Sequence, residues 1–251
     1  MVSAVIIARN ESANIERVIE SVLGVVSEVI VVDSGSTDGT QALAKALGAR
    51  VLETEWKGYG ATKNWGAEQA TNPWILSLDA DEELSEHLRT TIGRLSLDEL
   101  SPKHTYGFKR LTQFCGQWIN NGAWSRDVVW RIYHRDFTRW STRPVHETLE
   151  QDVDAQQIQL AGELNHYSFP SLSHYQLKHD SYAQLGAEAL YEQGKKATWV
   201  KRNLASFWRG FKGYVVQGGW RDGAAGWQIA KLDYLHVKDK YQRLRALWQA
   251  R

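Results

Sequence analysis

Short apolar runs alternate with helical segments over the first part of the chain. Runs rich in Val, Ile and Leu predict four buried strands, at residues 2–8, 29–32, 51–52 and 74–78. The segments between them predict helices near residues 15–23, 42–47 and 61–70. Strands that alternate with helices are typical of an α/β fold with a mainly parallel central sheet flanked by helices.

Polar clusters follow three of these predicted strands: Arg9-Asn10-Glu11, Asp33-Ser34 and Asp79-Ala80-Asp81. Ligands of such sheets bind outside the carboxyl ends of the strands, so the clusters are expected to line one crevice. Neither G-x-G-x-x-G nor G-x-x-x-x-G-K-[ST] occurs in the sequence, which excludes the dinucleotide fingerprint and the P-loop. A nucleotide in this crevice must be held in another way.

The two acids of Asp79-Ala80-Asp81 stand at the end of an apolar run. Unpaired carboxylates are costly to bury, and a hard divalent cation removes that cost. Mg2+ or Mn2+ takes oxygen ligands, usually one or two carboxylates together with phosphate oxygens. The spacing therefore predicts a metal that holds a diphosphate. The alternative is a solvated turn, with Glu82-Glu83-Leu84 opening a helix.

Aromatic and basic residues are interleaved between residues 116 and 140: Trp118, Trp124, Trp130, Trp140, Arg126, Arg131, Arg135 and Arg139. Rings that stack on a pyranose and Arg forks that grip phosphate or carboxylate would suit a sugar with a charged neighbour. Ordinary core and rim tryptophans are the alternative for about half of them. Arg131 is our candidate for acceptor or diphosphate contact.

Charge is distributed unevenly along the chain, although the formal net charge is only +1. Residues 195–251 hold 13 Lys and Arg against 3 Asp and Glu, which leaves 17 basic and 26 acidic residues before them. In residues 200–215 the apolar and the basic residues fall on different faces of a predicted helix. Residues 218–223 would break that helix, and a second helix is expected from about 227 to 248. This pattern predicts helices that lie on an anionic membrane surface. A helical cap packed on the catalytic domain is the alternative, and nucleic-acid binding ranks lowest because no such motif is present.

The composition fits one catalytic domain over residues 1–194, in halves of 1–98 and 99–194, followed by a basic amphipathic helical extension over 195–251. No apolar stretch approaches the roughly 18 residues of a membrane span, and no signal-peptide pattern opens the chain. The lone Cys115 excludes an intrachain disulfide framework and agrees with a reducing compartment. We therefore expect a cytoplasmic protein whose basic extension associates peripherally with a membrane surface.

Several motifs, taken in order, resemble those of family 2 glycosyltransferases, which are inverting enzymes of the GT-A fold. The N-terminal motifs are Ala8-Arg9-Asn10-Glu11, residues 31–40, Lys63-Asn64-Trp65-Gly66 and Asp79-Ala80-Asp81-Glu82. Three later motifs, at residues 131–135, 145–147 and 166–168, narrow the resemblance to lipopolysaccharide-core β-1,4-glucosyltransferases. The similarity covers nearly the whole chain.

The resemblance implies a nucleotide-sugar site and assigns residues to it. Asp33 would accept a hydrogen bond from uracil. The remaining nucleotide-sugar contacts would come from Ala8, Arg9, Asn10, Glu11, Ser34, Lys63, Asn64, Asp79, Ala80 and Arg131. Lys63 would neutralise diphosphate charge, although many relatives carry Arg at this place. Arg9 and Asn10 have an alternative role as caps of the following helix.

The resemblance also implies a metal site and a catalytic base. Asp81 would bind Mg2+ or Mn2+, Asp79 would bind the ribose or the metal, and His166 is the candidate third ligand, with His146 as its rival. Glu147 would remove the acceptor hydroxyl proton. A surface ion pair with Arg143 is the alternative role for Glu147.

The expected reaction moves a hexose, with UDP-glucose as donor, to a lipid-linked glycan acceptor, a heptose of the lipopolysaccharide inner core. A sugar nucleotidyltransferase could carry the same sheet and acids, but Ala8-Arg9-Asn10-Glu11 is not the Gly-rich loop of such enzymes. A non-catalytic sugar- or lipid-binding module is the second alternative, and the intact set of acids argues against it. No nucleic-acid partner is expected.

Overall fold

The structure, a computed structural model, describes residues 1–142 and 147–250. Its strands are β1 (Val2–Ala8), β2 (Glu28–Asp33), β3 (Arg50–Glu53), β4 (Trp74–Asp79), β5 (Glu82–Leu84), β6 (Thr105–Phe114), β7 (Gln117–Trp118), β8 (Val128–His134), β9 (Arg139–Trp140), β10 (Leu149–Glu150) and β11 (Gln157–Phe169). Its α-helices are α1 (Ile15–Val22), α2 (Thr40–Ala46), α3 (Tyr59–Glu68), α4 (Glu86–Gly93), α5 (Leu172–Glu192), α6 (Trp199–Phe211) and α7 (Gly223–Gln249).

The main sheet has the strand order β3-β2-β1-β4-β8-β6-β11-β5, with β7 paired to β6. Strands β1 to β4 are parallel, as the sequence predicted. The prediction of a mainly parallel sheet is wrong beyond them, because β8 runs antiparallel to β4, β6 to β8, and β5 to β11. The α/β class is confirmed, with a mixed sheet in place of a mainly parallel one.

Strand β1 is buried on both faces. Ala4 and Ile6 pack in one core with helix α1, while Val5 and Ile7 pack in a second core with Ala67 of α3. A strand covered by helices on both faces needs a continuous apolar run in place of an alternating one. This requirement explains the uninterrupted apolar sequence of residues 4–8.

Strand β5 corrects one sequence alternative. Glu82–Leu84 does not open a helix, because it pairs antiparallel with β11, with Glu82 opposite His166. Helix α4 begins only at Glu86, after the N-cap Ser85, whose hydroxyl accepts a hydrogen bond from the Leu88 N–H. The pairing of β5 carries His166 towards the end of β4.

The chain divides into two compact units, one comprising Met1–Arg110 and Asp127–His166 and the other Leu111–Arg126 with the chain from Tyr167 onward. In the second unit both α5 and α6 pack on α7. The two C-terminal helices and the break near residues 218–223 agree with the sequence prediction, since a 3-10 turn at Gly219–Asp222 separates them. The predicted boundary at residue 194 does not coincide with a boundary between these units, because α5 packs with the helices after it. As a functional division it stays a prediction.

Gly66 permits the close approach of α3 to the sheet, and its replacement by Ala is expected to lower the free energy of unfolding. A Cβ at Gly66 would lie 2.6 Å from Val32 Cγ2 and 2.7 Å from Val5 Cγ1, both in the packed core. Overpacking of this kind costs about 1–3 kcal/mol. Urea unfolding measures the loss. The matched control is Gly93→Ala in α4, where the nearest atom would be Val25 Cγ1 at an ordinary 3.6 Å. Equal unfolding midpoints for the two variants would contradict this account of the packing.

Candidate active site

The three polar clusters predicted from the sequence follow adjacent parallel strands. Ala8 at the end of β1 stands in register with Asp33 at the end of β2, and Ile7 stands in register with Asp79 at the end of β4. The carboxyl ends of three neighbouring strands therefore form one edge. This edge is where the candidate donor-site residues meet.

A chain of ion pairs runs along this edge. Asp79 Oδ1 lies 3.0 Å from Lys63 Nζ, and Asp79 Oδ2 accepts a hydrogen bond from Arg131 Nη2 at 2.7 Å. The same Arg131 nitrogen donates to Glu82 Oε1 at 2.5 Å, while Glu82 Oε2 accepts the Asp79 backbone N–H at 3.0 Å. Lys63, Glu82 and Arg131 are buried, and Asp79 is half-buried. Every charge of this group thus has an opposite charge beside it, which is the condition for burying it.

Burial and charge act in opposite directions on these groups. Burial by itself raises the pKa of Asp79, but Arg131 and Lys63 outweigh it and hold that pKa well below its ordinary value. Burial tends to lower the pKa of Arg131, and Asp79 and Glu82 raise it above its ordinary value. Asp79 therefore stays ionised and Arg131 stays protonated.

Glu147 joins the same group through Lys63. Its Oε1 lies 3.2 Å from Lys63 Nζ, which also lies 4.5 Å from the centre of the Trp140 ring. Asn64 holds Trp140 in place by reciprocal hydrogen bonds of 2.8 Å with the Trp140 backbone. The alternative partner of Glu147, Arg143, lies outside the described residues. Glu147 and the strand-end acid Asp79 thus share one lysine.

Asp81 and His166 form a separate pair. His166 Nε2 lies 3.4 Å from Asp81 Oδ2, and the buried Nδ1 of His166 has no hydrogen-bond partner within the described part of the chain. Asp81 Oδ2 and His166 Nε2 are a carboxylate oxygen and an imidazole nitrogen on facing side chains, a donor pair that fits a divalent cation. Both carboxylate oxygens of Asp79 are engaged by Lys63 and Arg131. The rival ligand His146 lies outside the described residues.

The loops after β1 and β2 are fastened to each other. The Asn10 N–H donates to Ser36 Oγ at 2.8 Å, and Asn10 Oδ1 accepts the Thr37 N–H at 2.8 Å. The Ser12 N–H donates to Asp38 at 2.9 Å. Asn10 adopts a left-handed φ of 56°, which Asn tolerates better than most residues. The alternative role of Asn10 as a cap of α1 is wrong, because its side-chain oxygen bonds the other loop and the N-cap residue is Asn14.

Asp33 organises the second of these loops. It is fully buried, and its Oδ1 accepts the N–H groups of Gly35 and Ser36 and the Gln41 side-chain amide at 2.7–3.0 Å. Its assigned contact with uracil stays a prediction. Of the other assigned donor-site residues, Ala8, Ser34 and Ala80 are buried, Glu11 is half-buried and Arg9 is exposed.

Sequence reasoning missed Glu82 as a partner of Arg131 and the contact between Asn64 and Trp140. The sequence alternative placed Glu82 at a helix start, because acidic residues are favourable in the first turn of a helix. A buried strand that pairs only with a segment 80 residues later leaves no local periodic signal. The contact between α3 and β9 is likewise set by tertiary packing.

Replacing Arg131 by Met is expected to lower the free energy of unfolding by roughly 3–5 kcal/mol, because Glu82 and Asp79 would lose their shared partner in a buried setting. The matched control is Arg139→Met, since the Arg139 side chain is 78% exposed and pairs with Glu150 at 3.4 Å. An exposed pair of this kind is worth at most about 1 kcal/mol. Equal urea midpoints for the two variants would show that the buried network does not stabilise the fold.

Comparison with known proteins places the chain in a family. The model of glycosyl transferase family 2 matches residues 3–99. A glycosyltransferase of Rickettsia felis described as uncharacterized is 31% identical over 272 residues, which span 100% of this chain and 96% of that protein. The lipopolysaccharide core biosynthesis glycosyltransferase LpsC of Rhizobium meliloti is 30% identical over 232 residues, which span 89% of this chain and 84% of LpsC.

A solved structure shares the fold. The mannosyltransferase PcManGT of Pyrobaculum calidifontis, in complex with GDP-Man and Mn2+, superposes with a TM-score of 0.57 at 14% identity, over 100% of this chain and 88% of that one. The fold is therefore GT-A-like, in agreement with the mixed sheet. The match to the family model, the relative that aligns over the whole chain and the shared fold together show that the chain is a glycosyltransferase and belongs to glycosyl transferase family 2.

Proposed function

We propose that the protein transfers a hexose, glucose from UDP-glucose, to a sugar of the lipopolysaccharide inner core with inversion at the anomeric carbon. The observation that carries this proposal is the position of Glu147, whose carboxylate shares Lys63 with Asp79 at distances of 3.2 and 3.0 Å. A carboxylate positioned beside the strand-end acids is where an inverting transferase needs its base. The similarity to LpsC supports an acceptor in the lipopolysaccharide core.

The proposed reaction is a single displacement. The acceptor hydroxyl oxygen attacks the anomeric carbon from the face opposite the diphosphate, and Glu147 takes the hydroxyl proton. The bond from the anomeric carbon to the acceptor oxygen forms as the bond to the diphosphate oxygen breaks, and UDP leaves with that electron pair. Glu147 then releases its proton to solvent.

Asp81 and His166 would hold Mg2+ or Mn2+, and the bound cation would neutralise negative charge on the diphosphate. The charge balance of the described site supports a cation, because Lys63, Arg110 and Arg131 pair with four acids, namely Asp79, Glu82, Asp127 and Glu147, and a fifth acid, Asp81, pairs with the imidazole of His166. Lys63 and Arg131 supply further positive charge at the same edge.

The donor nucleoside is assigned to the edge formed by the loops after β1 and β2. Asp33 and the neighbouring Ala8 lie adjacent at the strand ends, where the uracil and ribose would contact Arg9, Asn10, Glu11 and Ser34. Arg131 is assigned to the diphosphate, since it lies beside Asp79 and not on the exposed surface.

Two alternatives make different predictions for a donor. Membership of the glycosyltransferase family argues against a sugar nucleotidyltransferase, which would form the nucleotide sugar from a nucleoside triphosphate. A non-catalytic binding module would bind UDP-sugars without releasing UDP. UDP release from a panel of UDP-sugars, with and without extracted core lipopolysaccharide, separates these cases and identifies the sugar.

Glu147→Gln is expected to lower turnover about 10²–10⁴-fold, because the amide cannot take the acceptor proton. Donor binding, measured by calorimetry with UDP, should stay close to that of the original protein. The matched control is Glu150→Gln, three positions further along the chain, whose carboxylate is exposed and pairs only weakly with Arg139. Full turnover by the Glu147→Gln variant would exclude Glu147 as the base.

Removal of divalent cations with EDTA is expected to abolish UDP release, and added Mn2+ or Mg2+ should restore it. Asp81→Asn should raise the metal concentration needed for half-maximal release, because a neutral amide is the poorer ligand. Asp98→Asn serves as control, since Asp98 is exposed and does not belong to the acids of the site. An unchanged metal requirement in the Asp81→Asn variant would exclude Asp81 as a ligand.

A further inference from the structure

Helix α6 presents large apolar side chains to solvent. Leu204 is 63% exposed, Phe207 60%, Trp208 53% and Phe211 40%, and the π-helical turn that follows adds Val215 at 48%. An exposed apolar surface of this kind marks an interaction site more often than a random surface does. Together with Val200, these residues are named the α6 face.

The opposite side of α6 is made of small residues and packs on α7. Ser206 and Gly210 are the buried residues of α6, and a Cβ at Gly210 would lie 2.9 Å from the Ala230 carbonyl oxygen. The large side chains therefore do not supply the contact between the two helices.

The charges around the α6 face are basic. Residues 199–216 contain Lys201, Arg202, Arg209 and Lys212 and no acidic residue. Arg209 is neutralised by Asp233 at 3.0 Å, whereas Lys201 and Lys212 are exposed, next to the apolar stripe on the helical wheel. A surface that combines Trp, Phe and Leu with flanking lysines is complementary to anionic lipid headgroups above an acyl layer.

We propose that the α6 face lies in the interface of an anionic lipid bilayer, with the helix axis in the membrane plane. Among the described residues no helix is long and apolar enough to cross a membrane. Helix α6 would therefore enter only the leaflet that it contacts. The apolar side chains would reach about 5–10 Å into the headgroup and acyl boundary, and the lysines would stay with the phosphates. This contact would place the protein peripherally on the cytoplasmic side of the inner membrane. The proposal does not depend on the donor sugar or on catalysis.

Cosedimentation of the full chain with vesicles tests the proposal. Vesicles of one part phosphatidylglycerol to three parts phosphatidylcholine should bind the protein at low salt, and pure phosphatidylcholine should bind it much less. Phe207→Ser/Phe211→Ser is expected to lower the partition coefficient at least tenfold, because the variant loses two aromatic rings that would be buried in the bilayer. Lys212→Gln is expected to lower it about fivefold, which corresponds to about 1 kcal/mol for one basic residue at an anionic surface.

Phe137→Ser is the matched control. The exposed fraction of Phe137 is 42%, close to the 40% of Phe211, but Phe137 lies in the other compact unit, which does not contain α6. Its vesicle binding should equal that of the original protein. Circular dichroism confirms that each variant is folded. The proposal is overturned if anionic vesicles do not bind at low salt, if the Phe207→Ser/Phe211→Ser variant binds as well as Phe137→Ser, or if sedimentation shows a dimer that these two substitutions dissociate.

Discussion

Each buried charge must have an opposite charge beside it, and the compact unit that holds the candidate active site depends on this constraint. Asp79, Glu82, Lys63 and Arg131 come from β4, β5, α3 and β8, and none of them could be buried without the others. The network therefore joins α3, the adjacent strands β4 and β5, and β8, which lies more than 40 residues after β5 in the sequence. The same ion pairs stabilise the fold and position the side chains of the site, so the site forms only when these elements are packed together.

The sequence predicted the parallel half of the sheet well, because its strands are short apolar runs and three of the four are followed by a polar cluster. It predicted the antiparallel half poorly. Strand β6 has four consecutive buried positions followed by mostly half-buried ones, with no regular alternation, and β5 has only three residues whose partner lies on β11. Pairings of this kind are set by tertiary contacts, which local periodicity does not record.

Candidate site residues followed the same division. The positions of Asp33, Asp79 and Asp81 could be deduced because they end predicted strands. The link from Lys63 to Glu147 across 84 positions could be expected only from a family resemblance, since the two lie on unrelated local patterns. The buried Glu82 had no local signal, and its partner Arg131 was expected to face a ligand, whereas the structure also gives it two acids of the protein itself.

Small residues decide how closely two helices approach their neighbours. Gly66 brings α3 against β1 and β2, which places Lys63 at the edge of the sheet. Gly210 brings α6 against α7 and so leaves the bulky side of α6 outward. In both helices a glycine, which has no side chain, sets the position of the side chains to which we assign a function: Lys63 in α3 and the α6 face in α6.

The fastening of the loop after β1 to the loop after β2 has a consequence for the speed of recognition. Hydrogen bonds of Asn10 with Ser36 and Thr37 hold the two loops together within the protein itself. The loss of loop entropy therefore belongs to folding and is not repeated at each encounter with a donor. At the proposed donor site a nucleotide would meet a rim that these bonds already shape, so its capture would be governed by diffusion and charge, with no slow closing step of these two loops.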